Sequence, residues 1–168
     1  MLGGIKIENI KMYYYESLDS TNNKAKEIET EEKQYIVYTN NQTNWRGQYD
    51  RKWISEKGLT ISLVIKKENQ EYSKIVPIAI VQYLKDKGFD ATIKYPNDIY
   101  YKDKKLGGIL IENIYKENKY DKTIIGIGLN INENKDVMQK VENSIGIMID
   151  ENKEDIIKDI CGYILKSI

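Results

Sequence analysis

The chain has 168 residues, 40% of them hydrophobic and 31% charged, which is the composition of a globular protein with room for one core. Lys plus Arg and Asp plus Glu both total 26, so no net charge favours nucleic acid or an anionic membrane surface as a partner. The sequence contains no histidine, which excludes the usual proton carrier near pH 7 and the commonest transition-metal ligand. Catalysis would therefore rest on lysine, arginine, carboxylates, amides and backbone groups.

The N-terminal part of the chain predicts a strand, a helix and a second strand. The segment KMYYYESLDST (11–21) indicates an aromatic strand that runs into a turn. Ser20 or Thr21 then caps a short polar helix that ends near Glu31. The segment YIVYT (35–39) is a compact strand.

The next part of the chain contains a long segment without periodicity. Residues 40–52 form a loop of a length that, in a compact domain, is usually functional or disordered. LTISLVIK (59–66) alternates as a strand does, and a helix capped by Ser73 follows and extends to Lys87. Pro77 lies early in this span and predicts that the regular helix begins after Ser73.

The C-terminal half predicts consecutive strands followed by one helix. Strands are expected at 91–95, 98–101, 105–115 and 122–132, with YKDKK as a tight turn between two of them. A terminal helix spans about Asn152 to Lys166. Its inner stripe consists of Ile156, Ile157, Ile160, Ile164 and Leu165. The single Cys161 lies in the apolar pattern of this helix and is expected to be a buried thiol. The whole predicts an α+β domain with a mixed, mainly antiparallel sheet and helices packed on it.

Four stretches carry side chains suited to chemistry. They are DSTN (19–22), QTNWRGQYDRKW (42–53), KYPNDIYYKDKKLGGILIE (94–112) and IIGIGLNIN (124–132). Each alone has an ordinary structural explanation: a helix cap, tryptophans that plug a core, lysines solvated in a turn, or glycines at close strand packing. In this order and at these spacings, however, they resemble the motifs of the catalytic domain of biotin protein ligases. The resemblance covers about residues 13–168, and KYPND followed by KLGGILIE is its most specific part.

The resemblance implies a fold like that of class II aminoacyl-tRNA synthetases and of the biotin and lipoate ligases. It implies one catalytic domain over residues 1–168, and we expect neither an N-terminal helix-turn-helix domain nor a C-terminal β-barrel domain. The implied substrates are biotin and ATP, with Mg²⁺, and biotin is attached through biotinyl-5′-AMP to a lysine of a biotin carboxyl carrier protein or domain. With no signal peptide and no membrane-spanning apolar run, we expect a cytoplasmic monomer or homodimer that binds neither nucleic acid nor membrane.

Site residues follow from the same resemblance. Catalytic roles are implied for Lys105, Arg46, Lys94 and Asp98, where Lys105 contacts both the biotin carboxylate and the α-phosphate, and Asp98 orients Mg²⁺ or the incoming lysine. Biotin contacts are implied for Ser20, Thr21, Asn22, Gln42, Arg46, Gly47, Gln48, Lys105, Gly107, Gly108, Gly126 and Gly128. Nucleotide contacts are implied for Arg51, Trp53, Lys94, Asn97 and Asn130. No metal ligand is assigned.

The sequence departs from the family pattern in the 42–53 stretch. Trp45 stands where the family has a glycine, Gln48 where it has an arginine, and Asp50 where it has another glycine. Because glutamine lacks the permanent charge of arginine, we predict looser retention of the adenylate. Tyr95 replaces the usual tryptophan, which is a mild change.

Two alternatives stay open. A lipoate–protein ligase would share the fold and the adenylate chemistry, although Gln42 and Arg46 favour biotin. A non-catalytic module that binds biotin or a carrier is the second alternative, and Lys105, Lys94 and Asn97 argue against it because binding alone needs no phosphate contacts.

Overall fold

A seven-stranded mixed sheet organises the computed structural model, which describes residues 7, 9–44 and 57–168. The strands are β1 (Lys11–Leu18), β2 (Gln34–Gln42), β3 (Leu59–Ile65), β4 (Thr92–Lys94), β5 (Asp98–Tyr101), β6 (Lys104–Lys116) and β7 (Lys119–Leu129). Their order in the sheet is β1-β2-β3-β7-β6-β5-β4. β1 and β2 are parallel and every other neighbouring pair is antiparallel, so the predicted mixed, mainly antiparallel sheet is confirmed.

The helices in these ranges are α1 (Thr21–Glu27), α2 (Tyr72–Asp86), α3 (Lys135–Lys140) and α4 (Lys153–Lys166). Ser20 caps α1, as expected, and Asn152 caps α4, because each side chain accepts a hydrogen bond from a backbone N–H of the first turn. Cys161 is buried in α4, and burial raises the pKa of its thiol. No helix in the described part of the chain is long and apolar enough to cross a membrane.

Several predicted boundaries were wrong. β2 extends to Gln42, so the first residues of the predicted 40–52 loop belong to a strand. α2 begins at Tyr72 with no side-chain cap from Ser73, because its first turn already forms on the Glu71 carbonyl ahead of Pro77. α3 was not predicted, since its six residues are too few for a clear helical period.

The predicted end of α1 near Glu31 was also wrong, and a buried lysine explains the difference. The Lys122 ammonium donates to the carbonyls of Ala25 (2.9 Å), Lys26 (3.2 Å) and Ile28 (3.1 Å) and so satisfies the end of the helix. The Tyr35 hydroxyl donates to the Ala25 carbonyl at 3.0 Å and accepts from Lys122 at 3.2 Å. Burial lowers the pKa of Lys122 and raises the pKa of Tyr35 to about 12.

The two faces of the sheet are covered differently. α2 and α4 pack on one face, which we call the helix-covered face, over a continuous aliphatic core drawn from β2, β3, β5, β6 and β7. α1 covers one end of the opposite face through a small cluster. Its members are Ala25, Tyr35, Val37, Val64 and Ile124. Beyond that cluster the opposite face carries polar side chains and glycines, and we call this part the open face.

Candidate active site

A row of paired residues crosses the open face from β3 to β4. Thr60 pairs with Gly128, Gly128 with Gly108, Gly108 with Asp98, and Asp98 with Lys94. Directly paired residues point to the same side of a sheet, and each step between strands is about 4.8 Å. Bare backbone at the two glycines therefore separates the polar side chains near α1 from the charged ones on β4 to β6.

Lys105 and Asp98 form an ion pair at the charged end of this row. Their Nζ and Oδ1 atoms lie 2.9 Å apart, and the side chains are 28% and 18% exposed, so the pair is partly shielded but open to a ligand. Leu106 is an extra residue in β6 relative to β5, a β-bulge that sends Leu106 into the core and turns Lys105 toward Asp98. The Lys105 backbone is held on both sides, its N–H by the Asn143 carbonyl and its carbonyl by the Ile145 N–H, each at 2.9 Å.

Lys94 and Asn97 extend the charged end. The Lys94 ammonium lies 3.2 Å from the Tyr100 hydroxyl and 4.8 Å from the centre of its ring, with the lysine exposed. The Asn97 side chain donates to the Ile109 carbonyl at 3.1 Å, which fixes its amide on β6. The structure thus brings the predicted residues Lys94, Asn97, Asp98 and Lys105 together on one side of the β4–β5–β6 corner.

The polar end of the row is built around the start of α1. The Thr21 backbone N–H donates to Gln42 Oε1 at 2.9 Å, so the Gln42 amide nitrogen remains as a donor. The Ser20 hydroxyl accepts from the Asn23 N–H at 3.3 Å. Ser20, Thr21 and Gln42, predicted from separate stretches of sequence, therefore lie side by side.

Asn22 is buried behind this group and bonds in two directions. Its Nδ2 donates to Glu112 at 2.8 Å, and its Oδ1 lies 2.5 Å from the Ser62 hydroxyl. A Cβ on Gly126 would lie 2.5 Å from Asn22 Oδ1, so this glycine makes room for the amide. The structure therefore gives Asn22 and Gly126 a supporting position under the site.

The two glycines of the 107–108 pair face opposite sides of the sheet, and their predicted contact with a ligand stays a prediction. A Cβ on Gly107 would lie 2.3 Å from the Gly128 carbonyl oxygen and 2.4 Å from Leu129, on the helix-covered face. Successive strand residues point to opposite sides, so only Gly108 lies on the open face. A Cβ on Gly108 would meet Asp98 and Lys105 at 3.5 Å or more.

Asn130 is almost fully buried, and its amide holds neighbouring backbone. Its Nδ2 donates to the Ile145 carbonyl at 3.1 Å, and its backbone carbonyl accepts from the Ile147 N–H at 2.9 Å. Asn130 therefore fixes the segment that also supports Lys105. The predicted contact of Asn130 with the nucleotide stays a prediction.

Other predicted residues lie outside the described part of the chain. They are Trp45, Arg46, Gly47, Gln48, Asp50, Arg51 and Trp53. The predicted loop effects of Trp45, Gln48 and Asp50 stay predictions.

Two residues of the site were missed at the sequence level. Ser62 contacts both Thr21 and Asn22, and Glu112 contacts Asn22, yet neither was assigned a role. A signal for Ser62 did exist: Thr60 and Ser62 are polar residues two apart in an otherwise aliphatic strand, which places both on one face. Within the described ranges, no group of three or more His, Cys, Asp or Glu side chains could hold a metal ion.

Comparison with known proteins places this arrangement in a family. Residues 14–130 match the model of the biotin/lipoate A/B protein ligase family. The chain belongs to that family. It is 29% identical over 167 residues to the bifunctional ligase/repressor BirA of Bacillus subtilis. The alignment covers 88% of this chain and 51% of the relative. The chain thus spans about half the length of that curated relative.

Solved structures show the same fold as this member of the biotin/lipoate ligase family. A biotin protein ligase from Aquifex aeolicus in complex with biotin and ATP superposes with a TM-score of 0.78 at 23% identity, covering 94% of this chain and 69% of that one. A protein from T. acidophilum with bound lipoic acid superposes with a TM-score of 0.64 at 11% identity, covering 95% and 86%. The fold is therefore that of the biotin and lipoate ligase catalytic domains.

Proposed function

We propose that this chain joins biotin to a lysine of a biotin carboxyl carrier protein at the expense of ATP, through biotinyl-5′-AMP. The observation that carries the proposal is the row on the open face, with hydrogen-bonding side chains at one end, bare glycine backbone in the middle and the Lys105–Asp98 pair at the other. Biotin has a polar ureido ring at one end and a carboxylate at the other, joined by an apolar chain. Its ends match the two ends of the row.

The first step brings two anions together. An oxygen of the biotin carboxylate attacks the α-phosphorus of ATP, pyrophosphate leaves, and a mixed anhydride forms. A cation fixed where the two anions meet offsets their repulsion and stays in place as charge moves to the leaving group. Lys105 suits this role because its backbone is held on both sides and its ammonium is oriented by Asp98. Lys94 adds a second cation on the same corner.

The second step requires a neutral amine. The carrier lysine attacks the carbonyl carbon of the anhydride, AMP leaves, and an amide bond forms with loss of one proton from the amine. Asp98 is the carboxylate that can orient the incoming ammonium, and without histidine the proton passes to a carboxylate, a phosphate or water.

Magnesium would enter with the nucleotide. Mg²⁺ commonly binds substrate phosphates with one or two protein carboxylates and keeps several waters. The described residues fit that mode, with Asp98 beside the phosphate end, and offer no all-protein cage. Bound there, Mg²⁺ would neutralise phosphate charge.

Lipoate is the second candidate substrate, since the family and one structural neighbour include lipoate-binding proteins. Lipoate ends in a dithiolane with no N–H or carbonyl group at that end. A dithiolane would leave the remaining hydrogen-bonding capacity of this end, such as the Gln42 amide nitrogen, without a ligand partner, which is costly. This favours biotin. The cytoplasm is the proposed compartment, and a biotin-dependent carboxylase is the proposed source of the carrier.

Biotin-dependent exchange of pyrophosphate into ATP tests the first step. Lys105→Ala should lower the exchange rate by about two to three decades, because a charged contact made in the transition state contributes on the order of 2.7–4 kcal/mol. Lys104→Ala is the matched control, since Lys104 is the exposed neighbour in the same strand. Exchange supported by lipoate and not by biotin would overturn the choice of substrate. Near-parental exchange in Lys105→Ala would overturn the role of that lysine.

A further inference from the structure

Tyr100 lies on the open face next to the two lysines of the charged end. In β5, Asp98 and Tyr100 are two residues apart, so both side chains point to the same side of the sheet. Tyr100 pairs with Lys105 on β6 and lies diagonally across from Lys94 on β4. Diagonal neighbours on antiparallel strands are within reach of aromatic and long side chains. Tyr100 is thus a cross-strand neighbour of both lysines.

The Lys94 ammonium is held by Tyr100 and not by a carboxylate. It donates to the Tyr100 hydroxyl at 3.2 Å and lies 4.8 Å from the centre of the ring. Asp98 is directly opposite Lys94 in the register, yet its carboxylate pairs with Lys105. Within the described ranges, Lys94 forms no ion pair. Because Tyr100 is partly buried and Lys94 is exposed, the ring determines where the flexible lysine side chain ends.

The two lysines therefore differ in the charge of their partners. Lys105 lies 2.9 Å from the Asp98 carboxylate, which offsets its positive charge. A phenol hydroxyl accepts a hydrogen bond without carrying a charge, so Lys94 keeps its full positive charge for an incoming anion. A lysine side chain also loses rotamer freedom when a ligand fixes it. Since Tyr100 already fixes Lys94, less of that freedom is lost when an anion binds.

We propose that Tyr100 is a positioning residue that holds the Lys94 ammonium at the charged end of the row for the phosphates of the nucleotide. The inference rests on the proposed function, in which Lys94 is the second cation beside the phosphates. Tyr100 acts through Lys94, so the effect of its hydroxyl requires that lysine. Loss of the hydroxyl should weaken the use of ATP and leave the use of biotin unchanged, because the ureido ring binds at the opposite end of the row.

Tyr100→Phe tests the proposal because it removes the hydroxyl and keeps the ring. Biotin-dependent exchange of pyrophosphate into ATP is measured once with ATP varied and once with biotin varied. We expect kcat/KM for ATP to fall by about fivefold, the equivalent of one partly exposed hydrogen bond. The KM for biotin should keep its parental value. A general disturbance of the fold would change the constants for both substrates.

Tyr101→Phe is the matched control, because Tyr101 is the next residue of β5 and packs on the other side of the sheet, with its ring centre 5.7 Å from that of Phe89. Its kcat/KM for ATP should equal that of the parent. In a Lys94→Ala background, Tyr100→Phe should cause no further fall, because the group that the hydroxyl positions is gone. Calorimetric titration with ATP in the absence of biotin gives the same comparison as a Kd, independent of turnover.

The outcomes separate failure of this inference from failure of the proposed function. If the parent protein catalyses biotin-dependent exchange and Tyr100→Phe matches it, Tyr100 does not position Lys94 and the proposed function stands. An equal loss from Tyr100→Phe with and without Lys94 would also overturn the inference, because the tyrosine would then act on its own. A parent protein without biotin-dependent exchange would overturn the proposed function and, with it, this inference.

Discussion

Neighbouring residues of β3 show how differently the two faces of the sheet are held. Leu63 lies in the aliphatic core under α2 and α4, where shape and volume decide the packing. Ser62, the residue before it, lies on the open face, where two directed hydrogen bonds to Thr21 and Asn22 decide its position. Apolar burial on the helix-covered face stabilises the fold. Hydrogen bonds on the open face orient the polar side chains of the site.

The comparison also explains where glycine is used. Gly107, on the helix-covered face, leaves space for Leu129, and Gly126, on the open face, leaves space for the Asn22 amide. Gly108 makes no close contact that a Cβ would disturb. Its bare backbone is therefore free for a ligand, which is the difference between a packing glycine and a site glycine.

The largest expected difference is between the unfolding free energies of two β3 variants, one on each face of the sheet. Leu63→Ala should lower the free energy of unfolding by about 2–5 kcal/mol, because it removes a buried side chain and leaves a cavity. Ser62→Ala should lower it by only about 1 kcal/mol, the net contribution of a hydrogen bond. Urea unfolding measures both. A cost for Ser62→Ala as large as that for Leu63→Ala would mean that the open face also carries the stability of the core.

The second prediction compares the unfolding free energies of alanine variants at the adjacent glycines 107 and 108. Gly107→Ala should lower the free energy of unfolding by about 1–3 kcal/mol, because the new methyl group overlaps the Gly128 carbonyl and Leu129. Gly108→Ala should change it by about 0.5 kcal/mol or less and should instead raise the Kd for biotin. Thermal unfolding and calorimetry on the same samples check the pair. The reverse pattern would show that Gly107 is the glycine under the ligand.

The smallest effect is the pH dependence of stability that comes from Tyr35, whose hydroxyl donates to the Ala25 carbonyl at the end of α1. Because burial raises the pKa of Tyr35 from 10.0 to about 12, its hydroxyl stabilises the fold fully below pH 10. That contribution is lost as pH rises through the folded-state pKa, by about 1 kcal/mol between pH 10 and pH 11. The difference in unfolding free energy between the parent and Tyr35→Phe should shrink by that amount over this interval.

Tyr95→Phe is the control for the pH experiment, since Tyr95 is 69% exposed and its hydroxyl is hydrated in both states. The contribution of Lys122 to stability has the opposite pH dependence. Burial lowers its pKa, so stability increases as the lysine loses its proton at rising pH. Its ammonium donates to the Tyr35 hydroxyl at 3.2 Å, so the difference between parent and variant reports the tyrosine together with its contact to Lys122. A constant difference from pH 8 to pH 11 would contradict the assignment.

The sequence by itself determined the elements whose signals are local. Ser20 and Asn152 are caps because their side chains bond to N–H groups three residues away, and the turn at Lys102 and Asp103 follows from the short polar segment between two apolar runs. The family also followed from the resemblance, and so did the proximity of the predicted site residues Ser20 and Gln42, which the structure brings side by side. Boundaries failed where a distant residue decided them, as Lys122 did for α1.

Only the tertiary structure decided which residues meet and which way they face. The alternation of a strand says that Gly107 and Gly108 point to opposite sides, but the register of β6 against β7, in which Gly107 pairs with the buried Leu129, decides which side is which. Asn22 and Glu112 are 90 residues apart in the chain and 2.8 Å apart in space. No local propensity encodes that contact. It exists because α1 packs across β3 and β7, and packing over such distances depends on the whole sheet being formed.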